Sequence, residues 1–198
     1  MTDDSRVHLL TARRRFLKQM AGAAATALPV AWQAPALANP GAVLPASARG
    51  LAMSHTHTGE QIDLVYALGG QYLPSALGSL NHFLRDHYSG EIGRIDPELF
   101  DVLHRVKQTL GLPEGGDHRY QVISGYRCPK TNSRLKKTRG GGVATRSLHL
   151  QGQAIDVRLP GVPLAELRDA ALSLKAGGVG YYPGEQFVHI DTGRVRTW

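Results

Sequence analysis

The segment Ser147–Val157 reads SLHLQGQAIDV and places a histidine and an aspartate seven positions apart. Gln151 and Gly152 lie between them, and a chain reversal there would bring His149 and Asp156 to the same side of the protein. Catalytic zinc sites use three protein ligands drawn from histidine and carboxylate side chains, with one position open to water. The segment is therefore compatible with two ligands of such a site, and almost as well with the polar edge of an ordinary hairpin.

The segment Phe187–Asp191, FVHID, offers a third ligand. His189 lies in the middle of this strand-like run, and residues two apart on a strand share a face, so His189 and Asp191 point in the same direction. A single histidine in an apolar strand is usually a core residue with a hydrogen-bond partner. Together with His149 and Asp156, however, His189 completes a set of three candidate ligands.

The other segments predict a single α+β domain. One helix is indicated from Pro74, a second from Pro97 with Asp96 as its N-cap, and a third from Pro163. One or two strands are predicted within residues 55–68. Further strands are predicted by short apolar runs bounded by glycine and proline, at 120–127, 154–159 and 187–191. We expect a small antiparallel sheet that carries the candidate ligands, with helices packed on it.

Residues 1–38 have the features of a secretory signal peptide. RRRFLK at 13–18 precedes the apolar run MAGAAATALPVAW at 20–32, and ALA at 36–38 is a cleavage signal. Arg13 and Arg14, followed by one further residue and then FLK, resemble a twin-arginine export signal, with Ala12 ahead of the pair where serine or threonine is usual. A general secretory signal is the alternative. We predict export to the periplasm, with no stable membrane span after cleavage.

Cleavage after residue 38 would leave a flexible lead-in at 39–54 and one domain at 55–198. The chain carries 23 basic and 16 acidic side chains, of which five and two precede residue 39, so the remainder has a net charge of +4. This mild charge suits an anionic envelope polymer and excludes a nucleic-acid partner. Cys128 is the only cysteine, which excludes an internal disulfide.

Three segments carry a resemblance to a known family. SGYRCPKTN (124–132), SLHLQGQAIDVRLPG (147–161) and VGYYPGEQFVHIDTGRVRTW (179–198) resemble the MepK (YcbK-like) murein endopeptidases, within the group that includes D-Ala-D-Ala carboxypeptidases, VanX-type dipeptidases and the hedgehog fold. The resemblance implies one zinc ion per chain, held by His149, Asp156 and His189. It also implies that Arg127, the arginine of SGYR, lies beside the metal and binds or polarises the substrate.

The sequence departs from the VanX pattern at the general base. VanX-type enzymes have a glutamate three residues before the last metal ligand, where this chain has Gln186. Asp191 is the first candidate for the base, although it could instead orient His189. Glu185 is the second candidate, but a shift of one residue along a strand turns a side chain to the opposite face.

These observations predict a zinc-dependent murein endopeptidase that hydrolyses amide bonds in the peptide cross-links of peptidoglycan. Gln186 favours one alternative, a zinc-containing module that binds peptidoglycan without cutting it. D-Ala-D-Ala carboxypeptidase action is a further alternative within the same group. The sequence leaves the cross-link type and the oligomeric state open.

Overall fold

The computed structural model describes residues 47–113, 118–138 and 144–198. The predicted signal peptide and the first part of the predicted lead-in lie outside these ranges. The elements are, in chain order, β1 (Ala48–His55), β2 (Gln61–Leu68), β3 (Gln71–Tyr72), α1 (Pro74–Phe83), α2 (Pro97–Thr109), β4 (Tyr120–Ser124), α3 (Pro129–Thr138), a short 3-10 helix (Leu148–Gln151), β5 (Ala154–Arg158), α4 (Leu164–Ser173), β6 (Gly178–Tyr182), β7 (Phe187–Asp191) and β8 (Arg196–Thr197).

The strands form one mixed sheet of eight, in the order β3-β2-β1-β4-β5-β7-β6-β8. The pairs β1/β4 and β6/β8 are parallel, and the remaining neighbours are antiparallel. The predicted α+β class is confirmed, but a small, purely antiparallel sheet is wrong. In both parallel pairs at least one other strand lies between the partners along the chain, so the pattern of either strand alone could not indicate the pairing.

The prediction that the domain begins at His55 after a flexible lead-in is also wrong. Strand β1 covers Ala48–His55 and lies between β2 and β4, inside the sheet. Leu51, Ala52 and Met53 are fully buried. A strand buried on both faces lacks the alternation of polar and apolar residues that marks an edge or surface strand, and ARGLAMSH therefore read as irregular.

The start of α2 follows the sequence signals, Asp96 as N-cap and Pro97 at the first position. The Asp96 carboxylate accepts a hydrogen bond from the Glu98 backbone N–H at 3.1 Å, and Pro97 takes the first helical position, where no N–H is needed. Leu99, Leu103 and Val106 are fully buried along one stripe of the helix: the exposed fraction of each is 0%.

The two faces of the sheet differ in chemistry near β5 and β7. Ile155, Val157, Val188 and Ile190 are buried in the hydrophobic core, and α4 contacts β6 and β7. Since side chains alternate along a strand, Asp156 and His189 point to the opposite face. Helix α4 thus packs on one face of this part of the sheet, and the candidate ligands point to the other.

After β4 the chain leaves the sheet earlier than predicted. The Tyr126 N–H donates to the Leu84 carbonyl at 2.8 Å, and a Cβ built on Gly125 would lie 2.6 Å from that same oxygen. This close backbone approach ends the strand at Ser124, and the unpredicted helix α3 follows.

Within the described ranges, none of the helices has the length and apolar character needed to cross a membrane.

Candidate metal centre

Two of the three predicted ligands face each other across neighbouring strands. Asp156 on β5 and His189 on β7 are directly opposite in register, and His189 Nδ1 lies 2.8 Å from Asp156 Oδ1. His149 Nε2 lies 3.3 Å from Asp156 Oδ1 and 3.3 Å from His189 Nδ1. All three side chains are buried. The structure therefore brings the predicted ligands together with one ligand atom of each pointing at a common point.

His149 reaches this point through the predicted chain reversal. Gly152 caps the C-terminal end of the 3-10 helix, and its φ of +68° is a conformation that L side chains rarely adopt. A Cβ there would lie 2.0 Å from the Arg94 carbonyl oxygen, so a larger residue would force the two segments apart. The glycine carbonyl also accepts a 2.9 Å hydrogen bond from the Asp96 N–H, which fixes the turn.

Hydrogen bonding sets the tautomer of His149. Its Nδ1 lies 2.7 Å from the Gly125 carbonyl oxygen, and because a carbonyl can only accept, Nδ1 must carry the proton. Nε2 is then left with a lone pair directed at Asp156 and His189. This arrangement is typical of a metal-binding histidine oriented by a backbone carbonyl.

Asp191 lies behind His189 rather than over the ligand atoms. Its Oδ2 accepts from His189 Nε2 at 3.0 Å and from the Arg196 guanidinium at 2.7 Å. Its Oδ1 accepts from the backbone N–H groups of Gly178 and Gly193, each at 2.9 Å, and the carboxylate is fully buried. The geometry therefore disfavours Asp191 as general base and suits a residue that orients His189.

The site concentrates negative charge. Burial alone would raise the pKa of Asp156, but its electrostatic interactions with the His149 and His189 rings outweigh this effect and hold the pKa far below its usual range. Burial also lowers the pKa of His149. Burial acts in the same direction on His189, yet hydrogen bonds to Asp156 and Asp191 raise its pKa to about 8. The two carboxylates, Asp156 and Asp191, thus favour a positive charge on the His189 ring.

The donor set fits a metal ion. Nε2 of His149, Oδ1 of Asp156 and Nδ1 of His189 lie within 4.8 Å of one another, and no other group of three histidine, cysteine, aspartate or glutamate side chains does so among the described residues. Two imidazoles and one carboxylate match zinc, with a fourth position left for water. That these residues bind zinc stays a prediction.

Arg127 lies beside this group, as the family resemblance implied. Its backbone N–H donates to the His149 carbonyl at 3.2 Å, and its Nη2 is 3.4 Å from Ser147 Oγ. Its charge is close enough to contribute to the lowered pKa of His149. Arg127 as a whole is partly exposed.

The structure does not bring Glu185 into the group. Glu185 and Gln186 lie in the exposed turn between β6 and β7, and Gln186 has a φ of +59°. The Gln186 amide donates back to the Pro183 carbonyl. Glu185 has neither a hydrogen bond nor an ion pair with any residue that the structure describes, so its carboxylate is free but not positioned.

Sequence reasoning missed Trp198, whose indole centroid lies 5.2 Å from that of the His189 ring. The contact depends on β8 pairing with β6 in parallel, which spacing along the chain does not indicate. The final residues of the VGYYPGEQFVHIDTGRVRTW segment were the only available signal.

A family model described as "Peptidoglycan L,D-endopeptidase MepK" matches residues 44–198. This chain belongs to the MepK family. The MepK "Peptidoglycan L,D-endopeptidase" of Escherichia coli K12 is 47% identical over 148 residues, which are 75% of this chain and 79% of that protein. The "Probable peptidoglycan L,D-endopeptidase MepK" of Haemophilus influenzae is 39% identical over 148 residues, with 75% and 77% covered.

The MepK match confirms the resemblance stated from the three sequence segments. It begins at residue 44, ahead of β1, and so agrees with the corrected start of the domain. It also contains all three candidate ligands and Arg127. The chain is therefore a member of a family of peptidoglycan endopeptidases.

Proposed function

We propose that this protein is a zinc-dependent endopeptidase that hydrolyses amide bonds in peptidoglycan peptide cross-links. The observation that carries the proposal is the cluster of His149, Asp156 and His189 ligand atoms in a chain of the MepK family. Export by the twin-arginine pathway to the periplasm belongs to the same proposal. The paired arginines near the N-terminus and the polymer named in the relatives' descriptions support it.

His149, Asp156 and His189 would hold the metal. His149 would bind it through Nε2, since its Nδ1 donates to the Gly125 carbonyl, and His189 would bind it through Nδ1, since its Nε2 donates to Asp191. A bound zinc ion supplies Lewis-acid polarisation of the scissile carbonyl and lowers the pKa of water to about 7. Arg127 binds the negative charge that develops on the carbonyl oxygen, because its guanidinium offers fixed, parallel donors.

Asp191 keeps the His189 ring in one tautomer and one orientation. Burial would raise the Asp191 pKa, but hydrogen bonds from His189, Arg196 and two backbone N–H groups hold it well below its usual range, so the carboxylate stays ionised. A carboxylate held in this way is a poor proton acceptor and a strong partner for a ligating imidazole. Glu185 stays the remaining candidate for the base.

We expect Asp191→Asn to lower zinc affinity about 10- to 100-fold, because an amide supports the His189 imidazole less strongly than a carboxylate does. Competition with a chromogenic chelator measures the affinity, and kcat at saturating zinc is measured in parallel. Asp169→Asn, at an exposed aspartate paired with Arg168, is the matched control and should change neither quantity. Unchanged zinc affinity with lost kcat would instead assign the base to Asp191.

A binding module without hydrolysis is the second candidate. Gln186 favours it, because an amide at the position of the VanX glutamate cannot take a proton, and Asp191 is committed to His189. In this function the zinc and Arg127 would recognise wall peptides without cutting them.

Digestion of purified sacculi distinguishes these functions. The full-length zinc-loaded protein is incubated with sacculi, and the released muropeptides are identified by mass spectrometry. Conversion of cross-linked dimers to monomers supports the endopeptidase. Loss of a terminal D-Ala alone would indicate a carboxypeptidase. Sedimentation with sacculi without any release, across a range of pH and added zinc, would indicate the binding module.

A further inference from the structure

An exposed aromatic ring stands next to the candidate metal ligands. The Trp198 indole centroid is 5.2 Å from that of His189 with the ring planes tilted by 52°, and 49% of the residue is exposed. The His189 ring is already fixed by Asp156 and Asp191, so it needs no further support. A large apolar surface left open beside a reactive site more commonly contacts a ligand than maintains the fold.

The indole is held rigidly. The Trp198 backbone N–H donates to the Val179 carbonyl at 3.3 Å, and its carbonyl accepts from the Tyr181 N–H at 3.0 Å. The indole Nε1–H donates to the Tyr182 hydroxyl at 2.6 Å, and the Arg196 guanidinium carbon lies 4.8 Å from the ring centroid. Because the N–H is already used, what the ring offers to a ligand is apolar surface.

Gly180 provides the space that the indole occupies. Gly180 is directly opposite His189 in register, just as His189 is directly opposite Asp156, so the three positions form one row across the sheet. A Cβ on Gly180 would lie 2.7 Å from Cε2 of the Trp198 ring. The glycine is not required by its own backbone angles, and the indole above it explains why a side chain is absent.

We propose that Trp198 forms the apolar wall of a substrate subsite and packs against an aliphatic chain next to the scissile amide. The inference rests on the proposed function. A peptide cross-link made through a side-chain amine contains the methylene chain of a diamino acid, which has no charge to satisfy and gains from contact with an aromatic face. Gly180 has a positioning role: because it has no side chain, the Trp198 indole can lie over the row formed by Asp156, His189 and Gly180.

Kinetics with a purified cross-linked muropeptide dimer test the subsite. Trp198→Ala should raise KM about tenfold with little change in kcat, since the contact is made equally in the ground and transition states. Gly180→Ala should give a similar increase, because its methyl group displaces the indole. Gly184→Ala, at an exposed turn glycine where nothing lies within 4 Å of the added Cβ, is the matched control and should leave KM unchanged.

Two further comparisons separate the subsite from a structural role. The double variant Gly180→Ala/Trp198→Ala should be no worse than Trp198→Ala, since no indole is left to displace. Wild-type kcat/KM should fall at least about tenfold on a synthetic dimer whose diamino acid lacks two methylenes, and Trp198→Ala should not discriminate between the two dimers. Additive effects in the double variant, equal discrimination by both proteins or lower zinc affinity in Trp198→Ala would overturn the proposal.

A binding measurement keeps the test independent of hydrolysis. Trp32 and Trp198 are the two tryptophans of the chain, so full-length Trp32→Phe reports on Trp198 alone. Addition of the dimer to this zinc-loaded variant should shift its fluorescence, whether or not the dimer is cleaved. A shift without cleavage would contradict the proposed endopeptidase and leave the subsite supported. Cleavage without a shift would contradict the subsite.

Discussion

His149→Ala is expected to lose bound zinc and peptidoglycan hydrolysis together. His149 supplies one of three ligand atoms, and its Nε2 lies 3.3 Å from both Asp156 Oδ1 and His189 Nδ1. Metal activation contributes several kcal/mol to such reactions, which corresponds to a rate loss of about 10³-fold or more. Metal analysis should find close to one zinc per chain in the wild type and almost none in the variant.

The matched control is His82→Ala, at an exposed histidine in the last turn of α1. This variant should retain zinc and activity. Because removing His149 leaves the Gly125 carbonyl without its partner, the melting temperature is measured for the zinc-free proteins, and His189→Ala is tested in parallel. Full zinc occupancy in both His149→Ala and His189→Ala would refute the ligand assignment.

Arg127→Ala is expected to lower kcat about 10²- to 10³-fold while zinc content stays unchanged, since the loss of a donor to the developing oxyanion typically has this effect. Arg127 lies beside His149 and Ser147 without being one of the three ligands. Arg127→Lys should recover part of the loss, because it restores the charge but not the fork of donors. The readouts are initial rates on a cross-linked dimer and zinc content.

Arg105→Ala serves as the control for loss of a positive charge, since Arg105 is exposed on α2. It should leave kcat unchanged. If Arg127→Ala kept full kcat but melted at a lower temperature, Arg127 would be a structural partner of Ser147 and not a catalytic residue.

The candidate ligands could be predicted from sequence because each lies in a short segment with its own local signal. The Gln151–Gly152 reversal and the apolar strand around His189 both fold as expected. The sequence left two roles open for Asp191 and could not decide between them, since its partners Gly178 and Arg196 are brought to it only by the pairing of β6 with β7 and β8. A residue spacing that suits a general base also suits a buried orienting carboxylate.

The limits of the fold prediction have the same physical origin. Strand β1 was missed because both of its faces are buried, and the parallel pairs were missed because other strands lie between their members along the chain. Helix starts, in contrast, depend on residues within one turn, so Asp96 and Pro97 were sufficient.

The order of the strands implies that the ligand cluster and the Trp198 wall differ in how easily they open locally. Strands β5 and β7 lie inside the sheet, flanked by β4 and β6, whereas Trp198 follows β8, a two-residue strand at the edge. Edge segments with few backbone hydrogen bonds exchange their amide protons through small local fluctuations, while inner strands exchange only through larger ones. On warming, the wall formed by Trp198 should therefore loosen before the ligand cluster does, so that substrate recognition is lost while metal is still held.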